Sequence, residues 1–140
     1  MELDGFKDKR DKFKGSLMES DTLLLRQIHP NFFRNNRLTS QAFRPTPKDD
    51  KKLSVYDGDL INSQKAYNHY TQDLALPSIG VMAVSVNECN SIQLTAKPDP
   101  TPFPEHAIID FSPYSRDGER ETLAKKLRGC AEKRNWQYKP

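Results

Sequence analysis

The sequence predicts an α+β (mixed α/β) domain, a single twisted, mostly antiparallel or mixed sheet with two amphipathic helices packed on it and long proline-containing loops. Three observations lead there. Apolar or alternating stretches recur at 22–28, 53–56, 79–86 and 106–111, each short and bounded by turn residues, as strands are. Two other segments, 62–74 and the stretch after Ser115, space their apolar residues three or four apart, as helices with one buried face do. Ten prolines and an apolar content of only 35% leave much of the 140-residue chain to connections outside the core.

Residues 1–17 are dense in charge of both signs, with Phe6 and Phe13 as sparse apolar anchors. They read as a flexible or weakly helical N-terminal extension, and 18–140 as the single domain. Thr22 to Ile28 is a buried strand that His29-Pro30 ends, because proline cannot donate to a ladder. Asn35-Asn36 marks a turn, Leu38 to Phe43 a brief strand, and Pro45 to Lys52 an exposed loop. Leu53 to Tyr56 is a short strand closed by Asp57-Gly58.

Asn62 or Ser63 caps a helix reaching about Leu74, with Ala66, Tyr67, Tyr70 and Leu74 on one face. Ile79 to Val86 is apolar on both faces, which predicts a central strand. One helical turn at 87–90 and a short strand at 92–96 follow. Pro98, Pro100, Pro102 and Pro104 alternate with other residues and predict a stiff, extended stretch leading into the strand His106 to Phe111. Ser115 caps the last helix, whose buried stripe is Leu123, Leu127, Cys130 and Ala131. Asn135 ends it, and Trp136 to Tyr138 closes the sheet as an edge strand. The stretches 22–28, 79–86 and 106–111 are expected to share one sheet.

The net charge is +3, well short of a dedicated nucleic-acid binder. Between Ser112 and Pro140 eight basic residues face four acidic ones, which reads first as a solvated helix face. Cys89 and Cys130 satisfy either a disulfide or a reduced pair, and so sparse a cysteine content favours the reduced pair. No apolar run approaches the ~20 residues of a membrane span, and no secretion signal is visible, so a soluble cytoplasmic protein follows by elimination. No phosphate-binding glycine loop, zinc spacing or nucleophile elbow is present, so neither a metal nor a cofactor is expected.

With no conventional catalytic set, the first reading is a non-catalytic accessory module acting through protein contacts, with a partner encoded nearby. Its surface would be the loop 30–52 with 98–106, presenting Phe32, Phe33, Arg34, Arg37 and Arg44. The same aromatics beside arginines allow a single-stranded nucleic-acid reading, which the mild charge does not favour. The enzymatic alternative gathers Arg26, His29, Ser54, Tyr56 and His106 at a cleft. Ser54 and Tyr56 share a strand face, and His106 and Asp110 share another.

Two resemblances add to this. A strand arginine, then a strand serine, then an acid resembles the layout of ADP-ribosyltransferases, which implies that Arg26 and Ser54 would hold NAD. Neither Glu105 nor Asp110 fits that family's acid, and its clustered Ser/Thr pattern is missing around Ser54. The strings LLRQIHP, SQAFRPTPKDD, LSVYDGD and PFPEHAIIDF resemble those of short uncharacterised bacterial proteins. That implies a bacterial cytosolic setting for 23–140 and no activity.

Overall fold

A computed structural model describes residues 18–140, so the expected N-terminal extension at 1–17 lies outside the described residues. The strands are β1 (Leu23–Gln27), β2 (Phe33–Arg34), β3 (Arg37–Leu38), β4 (Lys52–Asp57), β5 (Val81–Ser85), β6 (Thr95–Pro98) and β7 (His106–Asp110). The helices are α1 (Ser63–Asn68), α2 (Val86–Ser91) and α3 (Asp117–Arg134). Five strands form one sheet in the order β5-β1-β4-β7-β6, with every neighbour pair antiparallel. The α+β expectation holds. No helix among the described residues is long and apolar enough to cross a membrane.

All three apolar stretches lie in this sheet, but β4 stands between β1 and β7. The predicted centre is wrong. β5 is the first strand of the order, although every one of its residues is buried. Its outer edge is closed by the C-terminal segment. Val81 donates to Tyr138 at 2.8 Å and accepts from Gln137 at 2.8 Å, and Arg134 reaches the Ala83 carbonyl at 3.3 Å. The closure needs Gly80: at φ 154° a side chain is strained, and a Cβ would sit 2.8 Å from both the Trp136 ring and the Tyr138 carbonyl. Apolarity on both faces therefore records cover on both faces, not a central place in the sheet.

One face of the sheet carries the main core. Leu24, Leu53, Val55, Val84 and Ile109 pack with Ala42 and Phe43 and with the α3 stripe of Leu123, Ala124, Leu127 and Ala131. α3 starts one residue later than a Ser115 cap would give, because the Glu119 carboxylate accepts from the Arg116 N–H at 3.3 Å. Cys89 is buried and Cys130 partly so, and both are free thiols. The opposite face carries a smaller cluster of Leu25, Tyr56, Ala66, Val81 and Ala83 under α1.

Three local expectations change. Leu38 to Phe43 is not a strand. Only Arg37–Leu38 pairs, in a hairpin with β2 turned by Asn35 and Asn36 at positive φ, and Ser40–Phe43 winds into a 3₁₀ turn that buries Ala42 and Phe43. α1 does not run on to Leu74 as an α-helix. At His69–Asp73 it widens into i→i+5 bonding, with the Leu74 N–H on the His69 carbonyl. The proline stretch is not extended. β6 pairs through Pro98 and the chain then folds back over 99–105, tied by Asp99 N–H to the His106 carbonyl (2.9 Å) and His106 N–H to the Phe103 carbonyl (3.1 Å). Prolines suit this loop because none of its turn positions needs their missing N–H.

Candidate functional site

The smaller face of the sheet is only half covered. A cleft of about 480 Å³ opens there. Its floor is Leu25 and Gln27 of β1, Ser54 and Tyr56 of β4, and His106 of β7. Tyr70, Leu74 and Leu76, from the widened turn after α1, form one wall, with Pro102 and Phe103 from the 99–105 loop and Thr46 and Asp49 completing the rim.

Strand register explains why a serine and a histidine meet. Ser54 stands opposite Ile108 and Tyr56 opposite His106, so Ser54 and His106 are diagonal neighbours on one face. Such diagonals lie roughly 7–8 Å apart and are bridged by long side chains. His106 Nε2 lies 3.1 Å from Ser54 Oγ. Its other nitrogen, Nδ1, lies 2.9 Å from the Asp99 carbonyl and 3.3 Å from the Asp99 carboxylate. A carbonyl oxygen only accepts, so the proton of neutral His106 sits on Nδ1 and the Nε2 lone pair faces the Ser54 hydroxyl. That is the tautomer a general base requires.

Aromatic rings hold the imidazole from the open side. Phe103 packs edge-on to His106 with ring centres 5.2 Å apart, and touches His69 at 4.6 Å and Tyr56 at 5.2 Å. The Tyr56 hydroxyl is 2.8 Å from His69 Nδ1. Burial first, then the nearby Tyr70, Glu105 and Asp73, push the Tyr56 phenol well above its ordinary pKa, so it stays protonated beside His69.

Arg26 enters the cleft from the edge of its floor. Its Nε donates to the Ala42 carbonyl at 2.7 Å and Nη1 to the Ser54 carbonyl at 2.9 Å, with the Phe32 ring 5.7 Å away. Burial holds its pKa below the ordinary arginine value, while the fields of Tyr70 and Asp49 act the other way. A guanidinium remains charged at neutral pH nonetheless.

Four of the five residues of the enzymatic reading thus line one cleft: Arg26, Ser54, Tyr56 and His106. His29 does not. It caps the turn at Pro30–Phe32, accepting from the Asn31 N–H at 2.9 Å, and its ring packs on Phe32. Of the contact-surface residues, Phe32 and Phe33 pack partly buried against the core, Phe33 on Trp136 at 5.7 Å. Arg34 and Arg37 are exposed cross-strand neighbours, and Arg44 pairs with Glu121 at 3.1 Å. A broader depression of about 620 Å³ lies beside Arg44 and Arg120, but these two arginines are already matched by Glu121 and Asp117.

Glu105 and Asp110, weighed as acids from the sequence, do not reach His106. The Glu105 carbonyl accepts from the Asp57 N–H at 2.8 Å, and Asp110 binds Lys97 at 3.1 Å and the Ser112 N–H at 2.8 Å. The acid beside His106 is Asp99, which sequence reasoning missed together with Gln27, His69 and Phe103. Pairing the strand before Pro98 with the strand after His106 would have set Asp99 opposite that histidine. Compared with protein families, curated proteins and solved structures, the chain matches none.

Proposed function

We propose that this protein is a serine-dependent hydrolase or acyltransferase acting on small, largely apolar esters or thioesters. The observation that carries the reading is the hydrogen-bonded series Ser54 Oγ, His106 Nε2, His106 Nδ1, Asp99 at the base of an apolar-walled cleft. Ser54 attacks the carbonyl carbon while its proton passes to His106 Nε2. The tetrahedral adduct expels the alcohol or thiol, which takes that proton back. Water, deprotonated by the same nitrogen, then releases the acyl group and restores the Ser54 hydroxyl. Asp99 keeps the imidazole oriented and supports its positive charge.

The test is labelling of the full chain with a fluorophosphonate probe, with p-nitrophenyl hexanoate hydrolysis in parallel. Wild-type protein is expected to label at Ser54 and to turn over the ester. Ser54→Ala is expected to do neither while melting at the wild-type temperature. Labelling elsewhere, or equal turnover by Ser54→Ala, would overturn the reading.

Arg26 and Ser54 lie together in the cleft, which favours a second reading, transfer of ADP-ribose from NAD. Release of nicotinamide on incubation with NAD, with no fluorophosphonate labelling, selects it over the hydrolase. A contact-module role keeps the exposed pair Arg34 and Arg37 as its surface. Loss of a co-purified partner on charge reversal of that pair, with esterase activity absent, selects it instead.

A further inference from the structure

The sheet is broken at one place, and the break is beside Ser54. β1 and β4 pair at Leu24–Asp57 and Leu25–Tyr56 and no further. The same register continued by two residues would set Gln27 opposite Ser54. Instead, the Ser54 carbonyl receives the Arg26 guanidinium. A cationic side chain stands where a ladder bond would run, anchored on the backbone of the residue that carries the nucleophile.

This cation is short of a counter-charge. Among the described residues its hydrogen-bond partners are the two carbonyls of Ala42 and Ser54, and no described residue forms an ion pair with it. Arg26 is half-buried, and even partly withdrawing a charge from water without a paired opposite charge is costly. Asp49, on the cleft rim, contributes only its field. Its Oδ2 accepts from the Thr46 N–H (3.1 Å) and the Thr46 hydroxyl (2.8 Å), and no ion pair with Arg26 forms. Arg26 is the one lysine or arginine among the residues that line the cleft.

A second group in the same cleft is also incomplete. Gln27 is 95% buried, since only 5% of its surface is exposed. One end of its amide bonds the Ser78 hydroxyl at 2.8 Å, and the other, Nε2, has no partner. Buried polar atoms left unpaired in a folded protein call for an explanation, and a ligand atom is one. A cation without an ion pair and a side chain with an unpaired amide nitrogen thus both belong to the lining of a cleft whose walls are Leu74, Leu76 and Phe103.

We propose that the cleft binds a ligand with an anionic headgroup, a carboxylate or phosphate seated against Arg26 and Gln27, and an apolar body lying along Leu74, Leu76 and Phe103. The inference rests on the hydrolase reading in one respect only: it names the class of substrate or product that site would hold, an acid or acid ester with its charge close to the scissile bond.

The test is direct binding, which needs no turnover. Full-length Ser54→Ala protein is titrated by calorimetry with hexanoate, hexyl phosphate and 1-hexanol. At least one anion is expected to bind about tenfold or more tighter than the alcohol, and which anion leads tells carboxylate from phosphate. Arg26→Gln is expected to bring the anion down to the alcohol's affinity, and Arg26→Lys to retain part of the preference. Should Arg26→Gln fail to fold, the anion-over-alcohol preference of the parent protein decides alone. Equal binding of anions and alcohol, or an unchanged preference in folded Arg26→Gln, overturns the proposal. Absence of the preference in Ser54→Ala, with wild-type protein still labelled at Ser54, removes the anion site and leaves the hydrolase. The preference without labelling does the reverse.

Discussion

The two faces of the five-stranded sheet are made from the same strands and serve opposite ends. Under α3 the face is closed: Leu24, Val55, Ile109 and Leu127 belong to one buried apolar cluster. Under α1 the cover stops halfway, and the floor beyond it is Ser54, His106 and Gln27. Strand alternation is the cause. In β4, Leu53 and Val55 point to the closed face, and Ser54 and Tyr56 to the open one. The closed face supplies stability through burial. The open face exposes Leu74 and Leu76 to whatever fills it, and counts Arg26 and Gln27 among its lining residues.

That contrast can be broken by experiment. The largest effect is expected at the imidazole. His106→Ala should lower kcat/KM for p-nitrophenyl hexanoate by about 10³-fold, within the range for removal of a general base, while changing the melting temperature little. A large loss of stability with unchanged activity would make His106 a packing residue.

Next comes a matched pair of leucines. Leu127→Ala, on the closed face, should cost about 2–5 kcal/mol in urea unfolding and leave kcat/KM per folded molecule unchanged. Leu74→Ala, 40% exposed at the cleft, should cost less than about 1 kcal/mol and raise KM for the hexanoate ester. Equal stability losses at the two positions would erase the distinction between the faces.

Asp99→Ala should cost only about tenfold in kcat, far less than His106→Ala, because the Asp99 backbone carbonyl still holds Nδ1 at 2.9 Å and keeps the tautomer. A loss as deep as that of His106→Ala would place the whole orienting role on the carboxylate.

The smallest effect lies away from the cleft, where Arg134 clamps Glu88 at 2.7 Å. Burial alone would raise the Glu88 carboxyl, but hydrogen bonds from Arg134 and Ser85 outweigh it and hold the pKa below its ordinary 4.5. A carboxyl that ionises more easily when folded stabilises the fold above its ordinary value, and that stabilisation fades as pH falls through the folded value. Glu88→Gln should therefore cost about 1 kcal/mol at pH 7, and urea unfolding of the two proteins should converge below pH 4. A gap that widens with acid would reverse the sign.

Much of the architecture was legible because it depends on local pattern. The apolar runs at 22–28 and 106–111, the Asn35-Asn36 turn and the α3 stripe all follow from side-chain periodicity and turn chemistry. Ser54 and Tyr56 could be placed on one face by alternation alone. What was not legible depended on pairing. The run at 79–86 read as central because its burial on both faces cannot be told, by sequence, from cover supplied by α3 and the C-terminal segment. Asp99 read as a loop residue between prolines because its closeness to His106 exists only once β6 and β7 fold back on each other.

By itself, then, the sequence determined the main strands, the last helix and which side chains share a strand face, since these follow from the period of the backbone and the chemistry of neighbours; it misplaced 38–43, the end of α1 and the proline stretch. The tertiary structure alone decided strand order, the break between β1 and β4, and the meeting of Ser54, His106, Asp99 and Arg26. Those contacts join residues far apart in the chain, and the physical quantity that selects them is the burial and hydrogen bonding of the assembled sheet, which no local stretch carries.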